Sequence, residues 1–217
     1  MSRLRAYSKN EERANSYSHG LGVLLGLIAA PFLLHKAYLS ANVWAVVSVI
    51  VYLIGMLSSY IASTIYHGTQ NERRKRGLQQ IDHAAIYLHI AGTYTPFTLI
   101  TLRQEGMWGW GLFTFVWLSA LIGFYVSFKK SGKHSHIETL CYVIMGCSIV
   151  VAIEPLFTVL SVTNKLEALY WLIGGGGAYI VGALFYSLAK VKYMHTIFHL
   201  FVLLGSLCHI VAIRIIL

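Results

Sequence analysis

Apolar residues run almost unbroken along the chain, over residues 17–39, 43–66, 80–101, 107–127, 138–160, 167–189 and 194–216, with short polar breaks between them. Each run is longer than the ~18 residues that fit a bilayer as a helix. The pattern predicts an all-α fold, an integral membrane bundle of seven transmembrane helices. Little chain is left over, so residues 1–217 are expected to form a single seven-helix domain with a short tail over about 1–13.

Composition strengthens the reading. The chain is 57% hydrophobic and only 12% charged, whereas soluble domains average roughly a quarter charged residues and need polar surface to cover them. Arg3, Arg5, Lys9 and Arg13 precede the first run as they would a signal peptide. That run exceeds the ~7–15 apolar residues of a signal core, and no cleavage site follows, so it is read as a retained helix.

The basic excess, 17 Lys and Arg against 8 Asp and Glu, would suggest nucleic acid in a soluble protein. Its placement excludes that partner. The tail, Arg73–Arg76, Lys129, Lys130, Lys133, Lys190 and Lys192 share one side of the expected bundle; only Lys36, Arg103, Lys165 and Arg214 fall on the other. The richer side faces the cytoplasm. The N-terminus is therefore expected inside and, after seven spans, the C-terminus outside.

Several other features are read without special chemistry. Tyr17, Tyr38, Trp44, Tyr66, Trp108, Trp110, Tyr170, Trp171 and Tyr193 mark span ends as interfacial anchors. Gly174–Gly177 read as a helix-packing stretch, with a broken segment as the alternative, and Pro96 and Pro155 as tolerated kinks. Glu154 either faces other helices or reaches the interface. Cys141, Cys147 and Cys208 form no disulfide framework and read as small apolar packers.

Ionisable residues within a bilayer are costly, and each demands a partner or a purpose. With the N-terminus inside, Glu11, Glu12, Asn15 and His19 begin span one, Ser63 and His67 end span two, Asp82 and His83 begin span three, and His195 and His199 begin span seven. All lie at the cytoplasmic level, and the outer level has no comparable cluster. His195 and His199 are four apart, which puts both imidazoles on one helix face. Both can reach one ion at the ~2.0–2.1 Å of a zinc–nitrogen bond. His67 supplies a third nitrogen with Ser63 one turn away, and Asp82 is suited to hold a water by a hydrogen bond. Three histidines and a water make an open set rather than a closed structural one. The bland alternative is a group of interfacial or hydrogen-bonded histidines. The set lacks the glutamate of His-Glu-x-x-His, which argues against a metalloprotease. His35, His89 and His209 read as packing histidines, and His134 and His136 as solvated loop residues.

The residues Glu11-Glu12-Arg13-Ala14-Asn15-Ser16-Tyr17-Ser18-His19-Gly20 resemble the opening motif of the bacterial hemolysin III family. Asp82-His83-Ala84-Ala85-Ile86-Tyr87 through Gly92-Thr93-Tyr94-Thr95-Pro96-Phe97 resembles its most distinctive segment. Ser63-x-x-Tyr66-His67 and His195-x-x-x-His199 resemble the remaining motifs. The match covers essentially the whole chain. That family is related to the progestin and adiponectin receptors, seven-helix proteins with a zinc site near the cytoplasmic face. The resemblance implies Zn2+ ligands at His67, His195 and His199, with Asp82 holding the water and Ser63 nearby. It leaves open which of Glu11 and Glu12 matters. It also implies a bacterial protein of the inner membrane.

Three functions follow as expectations. The first is a zinc-dependent hydrolase of a lipid amide or ester, entered from the inner leaflet, with Asp82 as general base. The second is a sensor or regulator of membrane state with a structural zinc, whose fourth ligand would come from Asp82 or the Glu11–Glu12 pair. The third is a lytic pore or cation pathway, disfavoured because the ionisable residues gather on one side. Membrane lipids are the expected partners; the sequence names neither the substrate nor the oligomeric state.

Overall fold

The computed structural model describes residues 7–129 and 136–217. Arg3, Arg5, Lys130, Lys133, His134 and the His136 side chain lie outside the described residues. The described chain is helical without strands: α1 (Lys9–Leu39), α2 (Val43–Gly68), α3 (Glu72–Pro96), α4 (Met107–Lys129), α5 (His136–Cys147), α6 (Ile153–Val162), α7 (Glu167–Ser187) and α8 (Met194–Ile216).

Local chemistry sets the helix starts. Ser8 caps α1 in a capping box, with the Glu11 carboxylate returning to the Ser8 backbone N–H at 2.9 Å. Asn71 caps α3 by accepting from the backbone N–H groups of Arg73 and Arg74, both at 3.1 Å. The expected fifth span is delivered as α5 and α6 joined by a tighter 3-10 stretch, Ser148–Ala152. Pro155 has no N–H for the carbonyl four residues back, so the regular ladder is interrupted here, next to the 3-10 stretch. After Pro96 a π-helical turn, Phe97–Thr101, completes the third rod.

Among the described residues, six helical segments are long and apolar enough to cross a membrane: Lys9–Leu39, Val43–Gly68, Met107–Lys129, Ile137–Val162, Glu167–Ser187 and Met194–Ile216. The helix that holds the expected third span is not among them. It opens on Glu72, Arg73, Arg74, Lys75 and Arg76 and carries Asp82, His83, His89, Thr93 and Thr95. It packs between α2 and α4, where its polar side chains can face neighbouring helices. α2 and α3 approach closely: a Cβ on Gly55 would lie 2.5 Å from the Leu88 carbonyl oxygen. α8 packs on α7 and α1 and so joins the α1–α2–α3 unit to α7, while the α5–α6 rod is held more loosely.

Polarity is arranged the wrong way round for water. Leu21, Leu24, Leu27, Ile28 and Phe32 of α1 point outward, whereas Glu11, Asn15, Ser18 and His19 are buried. Exposed apolar side chains also cover α4 and α7. A bilayer stabilises that arrangement, and water does not.

The inward stripe of each central helix changes character along its length. In α1 it runs from Glu11, Asn15 and Ser18 to Ala29, Leu33 and Ala37, and in α2 from Ala45 and Val49 to Ser63 and His67. The polar halves meet at one end of the bundle. At the opposite end the basic residues serve structure. Lys36 donates to the Arg214 carbonyl, Lys165 Nζ to the Ile216 carbonyl at 2.6 Å, and Arg103 lies over the Trp44 ring at 5.1 Å. Two ammonium groups thus cap the carbonyl end of α8. Burial pulls the Lys165 ammonium below its ordinary pKa.

Gly174–Gly177 lie within the continuous helix α7, so the segment is not broken. Of the four, Gly175 packs on a neighbour, with the His209 imidazole 2.4 Å from where a Cβ would stand. Glu154 is exposed rather than facing other helices.

Candidate metal centre

At the polar end of the bundle, α2 and α8 deliver three buried imidazoles to one point. His195 Nε2 lies 3.2 Å from His67 Nε2 and 3.1 Å from His199 Nε2. All three ligand atoms fall within 4.8 Å of one another. Donors at ~2.0–2.1 Å from a tetrahedral ion stand about 3.3 Å apart, so the spacing suits a single cation.

The far side of two rings shows why Nε2 is the free nitrogen. His199 Nδ1 faces the Asn15 carbonyl at 3.2 Å and the Ser18 hydroxyl at 3.0 Å. That hydroxyl itself donates to the Asn15 carbonyl at 2.9 Å. A carbonyl only accepts, so the network assigns the proton to Nδ1 and leaves the Nε2 lone pair inward. His67 Nδ1 faces Glu12 Oε2 at 2.6 Å, which fixes the same tautomer. Two inward lone pairs face His195 Nε2, which meets them either as an N–H donor or, with its own proton on Nδ1, as a third lone pair around a cation. The donor set therefore fits a metal ion.

Glu11 and Glu12 divide their work. Glu12 bridges His67 to the Lys75 ammonium of α3, which its second oxygen holds at 2.6 Å. Glu11, buried to 1% exposure, closes the α1 capping box and accepts from the Tyr193 backbone N–H at 3.1 Å. Tyr193 has φ 63°, a left-handed conformation that a bulky residue rarely adopts. Glu11 thus holds the turn that launches the helix carrying two of the histidines.

Asp82 is buried on α3 beside Ser63, whose hydroxyl faces its carboxylate. Asn15 Oδ1 accepts from the Thr196 hydroxyl at 2.5 Å and so ties α1 to α8 next to His195. His19 stacks on His199 with ring centroids 3.6 Å apart. Tyr7 stacks on His195 at 5.1 Å, Tyr66 lies 4.5 Å from His67, and Tyr186 lies 5.5 Å from His195. An aromatic shell therefore keeps the centre dry, and Tyr66 belongs to it rather than to an interfacial belt.

Sequence reasoning missed Tyr7, Ser18, Lys75, Tyr193 and Thr196 as supports of this centre. Lys75 carried no signal within a run of arginines; Ser18 and Tyr7 gain meaning only once the partner rings are placed. His35 is exposed, while His89 and His209 are buried deeper in the bundle. His83 is not one of the three converging rings; its Nδ1 lies 3.4 Å from Glu138 Oε2. A cavity of about 210 Å³ lies at the other end of the bundle, beside Thr101, Thr163 and Lys165, and is separate from this centre.

Comparison with known proteins finds the family described as haemolysin-III related over residues 7–210. The chain is 40% identical over 206 residues to "Hemolysin-3" of Bacillus cereus, covering 95% of this chain and 91% of that protein. It is 39% identical over 202 residues to the "Hemolysin-3 homolog" of Bacillus subtilis (strain 168), covering 92% and 91%. It is 29% identical over 211 residues to the human "Monocyte to macrophage differentiation factor", covering 94% and 83%.

Proposed function

The chain belongs to the haemolysin-III related family, and from that premise we propose that it is a zinc-dependent hydrolase of a lipid amide or ester. It crosses the bacterial inner membrane seven times, with the N-terminus in the cytoplasm, the C-terminus outside and the three histidines level with the inner leaflet. The observation that carries this reading is the convergence of three Nε2 atoms, 3.1 and 3.2 Å apart in sequence from His199 through His195 to His67. The orientation is supported by the charge bias. It is also supported by the structural employment of Lys36, Lys165 and Arg103 at the far end, which leaves those basic residues consistent with an outer face.

His67, His195 and His199 would hold the ion. Zinc, when bound in such a set, lowers the pKa of a water to about 7 and polarises a carbonyl. Asp82 takes a proton from the attacking water and returns it to the leaving amine or alcohol. Ser63 orients that carboxylate, Glu12 holds the His67 ring, and the rings of Tyr7, Tyr66 and Tyr186 exclude bulk water. The structural-zinc alternative needs a fourth protein ligand. Glu12 faces Nδ1 of His67 and Lys75 rather than the inward nitrogens, which leaves Asp82 for that role. The name hemolysin carried by two relatives denotes lysis, whereas a buried donor set with an aromatic shell favours chemistry at a bound ion.

The test is hydrolysis of ceramide-like amides and acyl esters by purified protein in mixed micelles, compared with Asp82→Ala. Turnover by the wild type, with Asp82→Ala inactive but still metal-loaded, supports the reading. Equal turnover in both removes Asp82 from the mechanism, and no hydrolysis by metal-loaded wild type favours the structural zinc.

A further inference from the structure

The polar residues of the metal centre have counterparts deeper on the same helices. Tyr60 stands seven residues before His67 on α2, His89 seven after Asp82 on α3, Ser206 seven after His199 on α8, and Tyr179 seven before Tyr186 on α7. Seven residues are two turns, about 10.5 Å along the axis and within roughly 20° of the same face. The bundle therefore carries a second polar layer directly below the first.

The second layer is bonded to itself around one hydroxyl. Ser206 Oγ accepts from Tyr60 OH at 2.7 Å, stands 2.9 Å from Tyr179 OH, and lies 3.4 Å from His89 Nε2. A serine hydroxyl offers one donor and two acceptor sites. Donation from both tyrosines, with Ser206 donating to His89, uses all three. Ser206 is fully buried, and the seats of the tyrosine rings are cut to fit. A Cβ on Gly22 would stand 2.4 Å from the Tyr60 ring, and one on Gly205 2.8 Å from that of Tyr179.

Four helices thus meet at Ser206: α2 with His67, α3 with Asp82, α8 with His195 and His199, and α7 with the Tyr186 ring. Apolar side chains facing one another in a membrane resist axial sliding weakly, whereas a single polar contact in an apolar seam specifies register. Register matters here. A slip of one residue moves α8 by 1.5 Å and turns it by 100°, and the three Nε2 atoms would no longer meet.

Resting on the metal-centre reading, we propose that Ser206 is a positioning residue, a register lock that sets the height and rotation of α8 so that His195 and His199 meet His67. It touches neither ion nor substrate and acts through the α8 backbone.

The test compares wild type with Ser206→Ala, Ser206→Thr and Tyr179→Phe, each verified as folded by circular dichroism at the assay temperature. Zinc affinity is measured by chelator competition and the site geometry by the visible spectrum of cobalt-loaded protein. Ser206→Ala should bind zinc about tenfold more weakly with an altered cobalt spectrum, and Ser206→Thr should restore both. Tyr179→Phe, which removes one oxygen and keeps the ring, should change both in the same direction and serves if Ser206→Ala does not fold. Lowered thermal stability with unchanged affinity and spectrum overturns the lock, because a merely stabilising hub moves stability alone.

A second readout needs no metal. In a background lacking Cys141, Cys147 and Cys208, a His67→Cys/His195→Cys pair should be bridged several-fold more slowly by a short bifunctional thiol cross-linker once Ser206→Ala is added. An unchanged rate overturns the lock. If the wild type binds no metal, the metal-centre reading fails on its own account, and the cross-linking rate still decides the lock.

Discussion

Glu12 Oε2 lies 2.6 Å from His67 Nδ1, and Glu12 Oε1 lies the same 2.6 Å from Lys75 Nζ, so one carboxylate couples an inward-facing imidazole on α2 to the charged start of α3. Such a partner fixes the tautomer of a metal-binding histidine and raises its basicity. Glu12→Gln is expected to weaken zinc binding by about 10–100-fold while leaving the helices intact. Chelator competition measures the effect, and Lys75→Met should produce a smaller loss in the same direction.

Glu11 should behave differently from its neighbour. Its oxygens serve the backbone N–H groups of Ser8 and Tyr193, and a charge-assisted hydrogen bond contributes roughly 1.5–3 kcal/mol. Glu11→Ala is expected to lower the thermal midpoint by several degrees, because it frees the strained Tyr193 turn. Equal effects of Glu11→Ala and Glu12→Gln on the midpoint and on zinc affinity would contradict this division of labour.

Metal removal should destabilise the bundle. An ion that binds only the folded state stabilises it by about 2.7 kcal/mol at a free concentration 100 times its dissociation constant. A chelator is expected to lower the midpoint of the wild type, zinc to restore it, and His199→Ala to abolish the response. Differential scanning fluorimetry in detergent reads all three.

The orientation has a direct reporter. In a background without the native cysteines, Ser40→Cys, at the α1–α2 turn, should react with a membrane-impermeant maleimide in intact cells. Gln70→Cys, at the α2–α3 turn, should react only after permeabilisation. The reverse pattern would place the metal centre at the outer face.

The sequence made one level of the structure legible and hid another. That His67, His195 and His199 share one end follows from alternating helix direction and from the four-residue spacing of the last two. The third rod was read as a span like the others, yet Asp82, His83 and His89 interrupt its apolar content, and it emerges as a helix packed between α2 and α4 that is not among the six segments apolar enough to cross a membrane. The separate roles of Glu11 and Glu12 were not legible, since adjacent helical residues point about 100° apart and their partners come from α2, α3 and the Tyr193 turn. Ser206 was equally hidden, because a serine in an apolar span looks like a packing residue until Tyr60 and Tyr179 are seen to converge on it. Those convergences depend on helix rotation, which spacing within one helix does not specify.

The most direct test of the central claim is the metal content of protein purified in mild detergent without chelator, read by mass spectrometry against a His195→Ala/His199→Ala variant. The account predicts about one zinc per chain in the wild type, as expected for an open three-histidine set, and none in the variant. No metal in the wild type, even after zinc is added back, would contradict it and leave the three imidazoles as hydrogen-bonded membrane histidines.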